Sequence, residues 1–177
     1  MDTCTALAFV LPERYGSKVE PIRRSHDKAY VRWMPHINFL FPFFPERTLD
    51  SVAERLTKDL ANVPAFILNL DEIGFFPIGY ENTYHLSASD SSQMKALYDS
   101  VRKTLHEFKQ AKRDFHPHLT LGQWSKPEDP TAMLKESVGS VEVLVDRLYI
   151  ITRTKDGPFT IRNEIPLGAF SSGGFEE

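Results

Sequence analysis

Pro117-His118-Leu119-Thr120-Leu121 repeats the chemistry of an earlier run, Pro35-His36-Ile37-Asn38-Phe39, 82 residues upstream. Each copy reads proline, histidine, apolar, short polar, apolar. Each follows a helix-compatible stretch and itself has the alternation of a β-strand. Side chains at i and i+2 leave a strand on one face. His36 and Asn38 therefore share a face, as do His118 and Thr120, while Ile37, Phe39, Leu119 and Leu121 point to a core. A pattern that recurs at about half the chain length implies an internal duplication. The expectation is two related lobes, with the histidine strands adjacent, central and facing one concave site.

Outward from these strands, short apolar runs and amphipathic stretches alternate. Residues 6–11 read as a strand ending at Pro12, and residues 15–28 are polar and helix-compatible. Residues 36–41 read as a buried strand. Leu49, Val52, Ala53, Leu56 and Leu60 fall at i, i+3, i+4, i+7 and i+11, the stripe of a helix. Ser51 and Glu54 have capping-box spacing there, with Thr48 as the alternative cap. Residues 65–71 alternate as a strand, 74–82 read as a Gly/Pro loop, and 84–88 as a strand. A second helix is expected over 92–108, striped by Met94, Leu97, Tyr98, Val101, Leu105 and Phe108. A strand over 115–124 follows, then a short helix at 130–135. Strands over 141–153 and 159–165 are joined by the turn Lys155-Asp156-Gly157-Pro158. Several strands have only short links, which favours an α+β fold with antiparallel sheets over a doubly wound parallel one. Residues 1–168 are expected to form one two-lobed domain, and 169–177, small and polar, a flexible tail.

Composition narrows the class. The chain has 177 residues, 41% hydrophobic, enough for one domain or two small lobes on a shared core. No apolar run approaches the roughly 18 residues of a membrane span, and the N-terminus does not read as a signal peptide. Cys4 is the single cysteine, which precludes an intrachain disulfide and suits a reducing, intracellular setting, with the cytoplasm the first expectation and the nucleus the second. The net charge of −3 argues against holding long nucleic acid by bulk electrostatics. It leaves room for a pocket that grips one phosphate.

Two imidazoles and two short hydrogen-bonding side chains around one spot suit phosphoester hydrolysis. One histidine takes a proton from water and the other protonates the departing oxygen, near neutral pH. A threonine hydroxyl or an asparagine amide stabilises charge on the non-bridging oxygens. No metal or other cofactor is required. The chain lacks a phosphate-cradling Gly-rich loop, a catalytic cysteine context and a metal motif.

The paired motifs, their spacing, the strand before the first and the segment Pro-His-Leu-Thr-Leu-Gly resemble the two-histidine phosphoesterase superfamily, also called the RNA ligase-like or cyclic phosphodiesterase fold. The likeness covers about residues 6–167. It implies two pseudo-symmetric α+β lobes, each an antiparallel sheet with helices outside, facing across a cleft. Carried over by position, His36 and His118 are the acid/base pair, His36 the acid and His118 the base, and Thr120 binds a phosphate oxygen. Asn38 takes the other phosphate-binding position, where the family has Ser or Thr. An amide still donates a hydrogen bond, but it is longer and planar.

Other residues have plainer readings. His116, two before His118, raises a metal-ligand pair, but no matching carboxylate or cysteine set accompanies it. His26 reads as a solvated helix residue, His85 as structural and His106 as exposed. Lys18, Arg23, Arg24, Lys28 and Arg32 read as a solvated helical face. Phe41, Phe43, Phe44, Phe75 and Phe76 are core by default, with one or two free to stack on a base. Tyr149 and Arg153, on the strand expected beside the cleft, are candidate base or phosphate contacts, with a surface ion pair the plainer role for Arg153. Three functions are therefore separable: a monomeric, metal-independent phosphoesterase acting on a small nucleotide or RNA terminus, a nucleotide-binding module without turnover, and an interaction domain. The first, opening a 2',3'-cyclic phosphate to a 2'-phosphate, is the leading expectation.

Overall fold

The computed structural model describes residues 1–109 and 114–170, and among these described residues the chain forms nine strands and four α-helices. Strand β1 (Thr5–Val10) leads into helix α1 (Gly16–His26), then β2 (His36–Leu40) and α2 (Leu49–Leu60). Strands β3 (Phe66–Leu70), β4 (Glu72–Ile78) and β5 (Glu81–Ser87) follow, then α3 (Ser92–Thr104) and β6 (His118–Ser125). Helix α4 (Thr131–Val138) precedes β7 (Val141–Val145), β8 (Arg147–Thr152) and β9 (Thr160–Pro166). The strands form three sheets, of order β2-β1-β8-β9, β4-β5-β6 and β3-β7, and every ladder within them is antiparallel. The fold is α+β, with the two larger sheets as lobes.

The β3-β7 pair is the hinge of this plan. β3 passes into β4 through Asp71 alone, and β7 into β8 through Asp146 alone. Each strand thus leaves the small ladder and enters a different lobe. For this reason the apolar run 141–153, which reads as one strand, is two strands in two sheets. Residues 74–82 are likewise a hairpin and not a loop: β4 and β5 pair from Glu72↔Ser87 to Ile78↔Glu81. Tertiary pairing here outweighs the low strand propensity of Gly and Pro.

Helix α2 buries the stripe its spacing predicts: Leu49, Val52, Ala53, Leu56 and Leu60. The capping box does not form. Thr48 is the N-cap, and its hydroxyl donates to the Pro45 carbonyl at 2.8 Å instead of capping the helix. Helix α3 ends at Thr104, earlier than its apolar stripe, although Leu105 and Phe108 are still buried. Strand β6 begins at His118, three residues later than expected, after Pro117. Helix α1 leaves its chain neighbours β1 and β2 and packs on β6 and α4, while α2 packs on β9 and α3. One apolar cluster runs through both lobes, from Leu7 and Ile37 to Leu86, Leu119 and Leu148. Of the expected tail, residues 171–177 lie outside the described residues. Among the described residues no helix is long and apolar enough to cross a membrane.

Candidate active site

His36 opens β2 and His118 opens β6. Against the expectation of adjacent central strands, the two are not hydrogen-bonded neighbours in one sheet. Each is the edge of a different sheet, and the two edges pack side by side. The alternation holds in both. His36, Asn38, His118 and Thr120 are half-buried, while Ile37, Phe39, Leu119 and Leu121 are buried.

The two histidines are held in the same way. Nδ1 of His36 lies 2.7 Å from the carbonyl of Met34, and Nδ1 of His118 lies 2.6 Å from that of His116. In each case the partner is two residues back, across a proline that keeps the preceding residue extended. A carbonyl only accepts, so Nδ1 carries the proton in both rings. The neutral ring then offers Nε2 as its free lone pair, the atom a base needs. Burial pushes His36 down to about 4, opposed by the Met34 carbonyl and assisted by the charges of Arg23 and His118. His118 is also held below the usual histidine value, again chiefly by burial, with the His116 carbonyl opposing. His116 itself is exposed. It contributes its carbonyl to His118, and no group of three or more His, Cys, Asp or Glu side chains converges among the described residues.

Register completes the surroundings. Ala8 lies opposite Asn38 on one side and Tyr149 on the other, so Tyr149 stands on the His36 face of its sheet. It lines a cavity of about 510 Å³ with Val10, Met34 and Pro35, immediately before His36. The side-chain oxygen of Asn38 is buried without a hydrogen-bond partner. Arg153 is not brought against either histidine by any hydrogen bond or ring contact among the described residues. Its guanidinium donates to the carbonyls of Thr154 (3.3 Å) and Lys155 (2.5 Å) and lies 5.5 Å over Phe159.

Four neighbours escaped the sequence reading. Trp33 stacks on His36, centroids 4.5 Å apart and planes at 15°. His85 lies 5.2 Å from the His118 ring, and Phe76 meets His118 edge-on at 4.9 Å while stacking on His85. Burial, then the proximity of His118, lowers His85 to about 4. Gly74 makes room for it: a Cβ there would sit 2.8 Å from Nε2 of His85. The fourth is Arg23, read as solvated but 2% exposed. His26 is exposed, yet it stacks on Trp124 at 4.4 Å. His85 lay on a strand that was legible and Phe76 among the phenylalanines able to stack on a base; Trp33 and Arg23 had no signal.

Residues 11–157 match the family model of the 2'-5' RNA ligase superfamily. A Geobacillus kaustophilus protein provisionally named a phosphoesterase is 23% identical over 162 residues, covering 89% of this chain and 92% of its own. Among solved structures, Escherichia coli LigT complexed with 3'-AMP superposes with a TM-score of 0.67 at 16% identity, covering 94% of this chain and 99% of LigT. TT0787 of Thermus thermophilus superposes with a TM-score of 0.63 at 21% identity, over 93% of this chain and 98% of its own.

Proposed function

Because this chain belongs to the 2'-5' RNA ligase superfamily, we propose that it is a metal-independent phosphoesterase that opens the 2',3'-cyclic phosphate of a nucleotide or RNA end. The observation that carries the reading is the mirrored pair of imidazoles. His36 and His118 are each locked at Nδ1 by a carbonyl, with no hydrogen bond to Nε2 among the described residues, on two strands that abut. The provisional phosphoesterase name of the Geobacillus relative and the 3'-AMP in LigT agree with it.

In the proposed step, one histidine removes a proton from water as the water oxygen attacks phosphorus. The bond from phosphorus to the 3'-oxygen breaks, and the other histidine, protonated, delivers its proton to that oxygen. The products are a 2'-phosphate and a 3'-hydroxyl. Thr120 and the Asn38 amide donate to the non-bridging oxygens, where charge accumulates. The resemblance makes His36 the acid. In the free cleft burial favours the neutral form of both rings, so either one is available as base. An entering phosphate anion raises both pKa values.

The test is incubation with the four nucleoside 2',3'-cyclic monophosphates and a cyclic-phosphate-ended oligonucleotide, in EDTA. Turnover should persist under chelation, with a bell-shaped pH profile whose limbs belong to the pair. His36→Gln and His118→Gln should each abolish most turnover, and the variant whose residual rate loses the low-pH limb has lost the base. Activity abolished by EDTA and restored by a divalent ion would sink the proposal. A nucleotide-binding module is the second reading, kept by Asn38 in place of Ser or Thr. It predicts 3'-AMP binding without turnover of any of these substrates.

A further inference from the structure

Arg23 is a buried cation for which the proposed reaction has no use. Every polar edge of its guanidinium is engaged. Nε and Nη2 donate to Asp27 Oδ2 at 3.1 and 3.0 Å, Nη1 to Glu20 Oε1 at 3.0 Å, and Nη2 also to the Trp33 carbonyl at 2.7 Å. Asp27 is buried as well, and its other oxygen accepts from the Ala29 N–H at 3.0 Å. The Trp33 N–H donates to the Ala29 carbonyl at 2.9 Å. Residues 27–33 are thereby held as a strap closed on Arg23.

The strap has two anchored ends. At one end α1 lies directly on β6. A Cβ on Gly122 would come within 2.6 Å of the His26 Cβ, and the Lys28 N–H donates to Gln123 Oε1 at 2.9 Å. At the other end the Trp33 ring is sandwiched between His36, at 4.5 Å, and Phe159, at 3.9 Å. One segment therefore runs from the strand of His118 and Thr120 to the imidazole of His36. A buried ion pair adds little net stability over apolar residues of similar volume. What it adds is direction, because a planar fork fixes the groups it binds.

We propose that Arg23 is a positioning residue for His36, holding Trp33, and through it the imidazole, in register with β6. This role rests on the paired-histidine reading of the cleft. Arg23→Met alone would leave Asp27 buried and unpaired, so the test uses the double variant Arg23→Met/Asp27→Leu beside Arg23→Lys. Each is measured for thermal midpoint, for kcat and KM on a 2',3'-cyclic nucleotide, and for the ¹H–¹⁵N spectrum of the His36 imidazole. In the wild type that spectrum should report the Nδ1–H tautomer. In both variants kcat should fall about 10- to 100-fold with KM nearly constant, and the His36 signals should shift or broaden. The double variant should keep its midpoint. An unchanged His36 spectrum with unchanged kcat in a folded variant overturns the proposal, and Arg23→Lys decides alone if the double variant does not fold. If the wild type turns over nothing, the phosphoesterase reading fails separately, and the spectrum still decides whether Arg23 positions His36.

Discussion

At the scale of single residues, the most informative atom is the side-chain oxygen of Asn38, buried without a partner two residues from His36. An unpaired buried polar atom costs on the order of 1–3 kcal/mol; an amide oxygen only accepts, so a phosphate oxygen would be met by the N–H of the same amide. In the proposed reaction the amide takes the phosphate position of the first motif, as Thr120 does in the second. Asn38→Ala should cost about 1.5–3 kcal/mol of ligand or transition-state binding, about 10- to 150-fold, as expected for a hydrogen bond to a charged group. Asn38→Thr, which restores a hydroxyl, should keep or raise activity. Nucleotide affinity and turnover are measured separately for the two variants. If both quantities are unchanged in Asn38→Ala, the first motif contributes only its histidine. If turnover appears only in Asn38→Thr, the chain is a binding module.

At the scale of elements, α1 crosses close over β6, the strand of His118 and Thr120. The backbone of His26 would stand 2.8 Å from a Cβ at Gly122, and backbone cannot rotate out of the way. Gly122→Ala should therefore lift the end of α1 from β6, at about 1–3 kcal/mol, the usual cost of overpacking. A thermal midpoint equal to that of the wild type would show that the crossing tolerates a methyl group. This contact also marks the limit of what the sequence reveals. The alternation around His36 and His118 was legible because it is local, and the helix stripe of α2 for the same reason. That α1 packs on the strand of the other lobe was not, since residues 15–28 show polarity and no partner. Arg23 was misread on those grounds: a basic helix residue is usually solvated, and only the return of residues 27–33 buries it. Asp146 was invisible as a strand break, and so was the strand that follows Asp71, because sheet membership depends on pairing, not on local pattern.

At the scale of the whole molecule, the two lobes desolvate the imidazoles that they bring together, and this couples folding to pH. His36 and His85 are pushed down to about 4, and His118 is also lowered, in each case mainly by burial. In the unfolded chain each histidine returns to about 6.5. Above that value the rings are neutral in both states, and their contribution to stability is fully present. As pH falls from about 6.5 towards 4, the unfolded chain binds protons that the folded cleft refuses, so stability is lost. Below about 4 His36 and His85 protonate in both states and cause no further loss. The thermal midpoint should therefore decline through this window beyond what the carboxylates account for. His85→Phe removes one titrating ring while keeping an aromatic partner for Phe76, which lies 4.5 Å from the native imidazole. Its decline should be shallower by up to about one proton taken up on unfolding. Phosphate should oppose the loss, because an anion between the rings favours their protonated forms. The measurement is the thermal midpoint from pH 7 to pH 4 for the wild type and His85→Phe, with and without phosphate. Parallel curves for the two proteins would mean that His85 is not held neutral by its burial. A phosphate effect that vanishes in His118→Gln would locate the anion at the paired histidines, and one that survives would place it elsewhere.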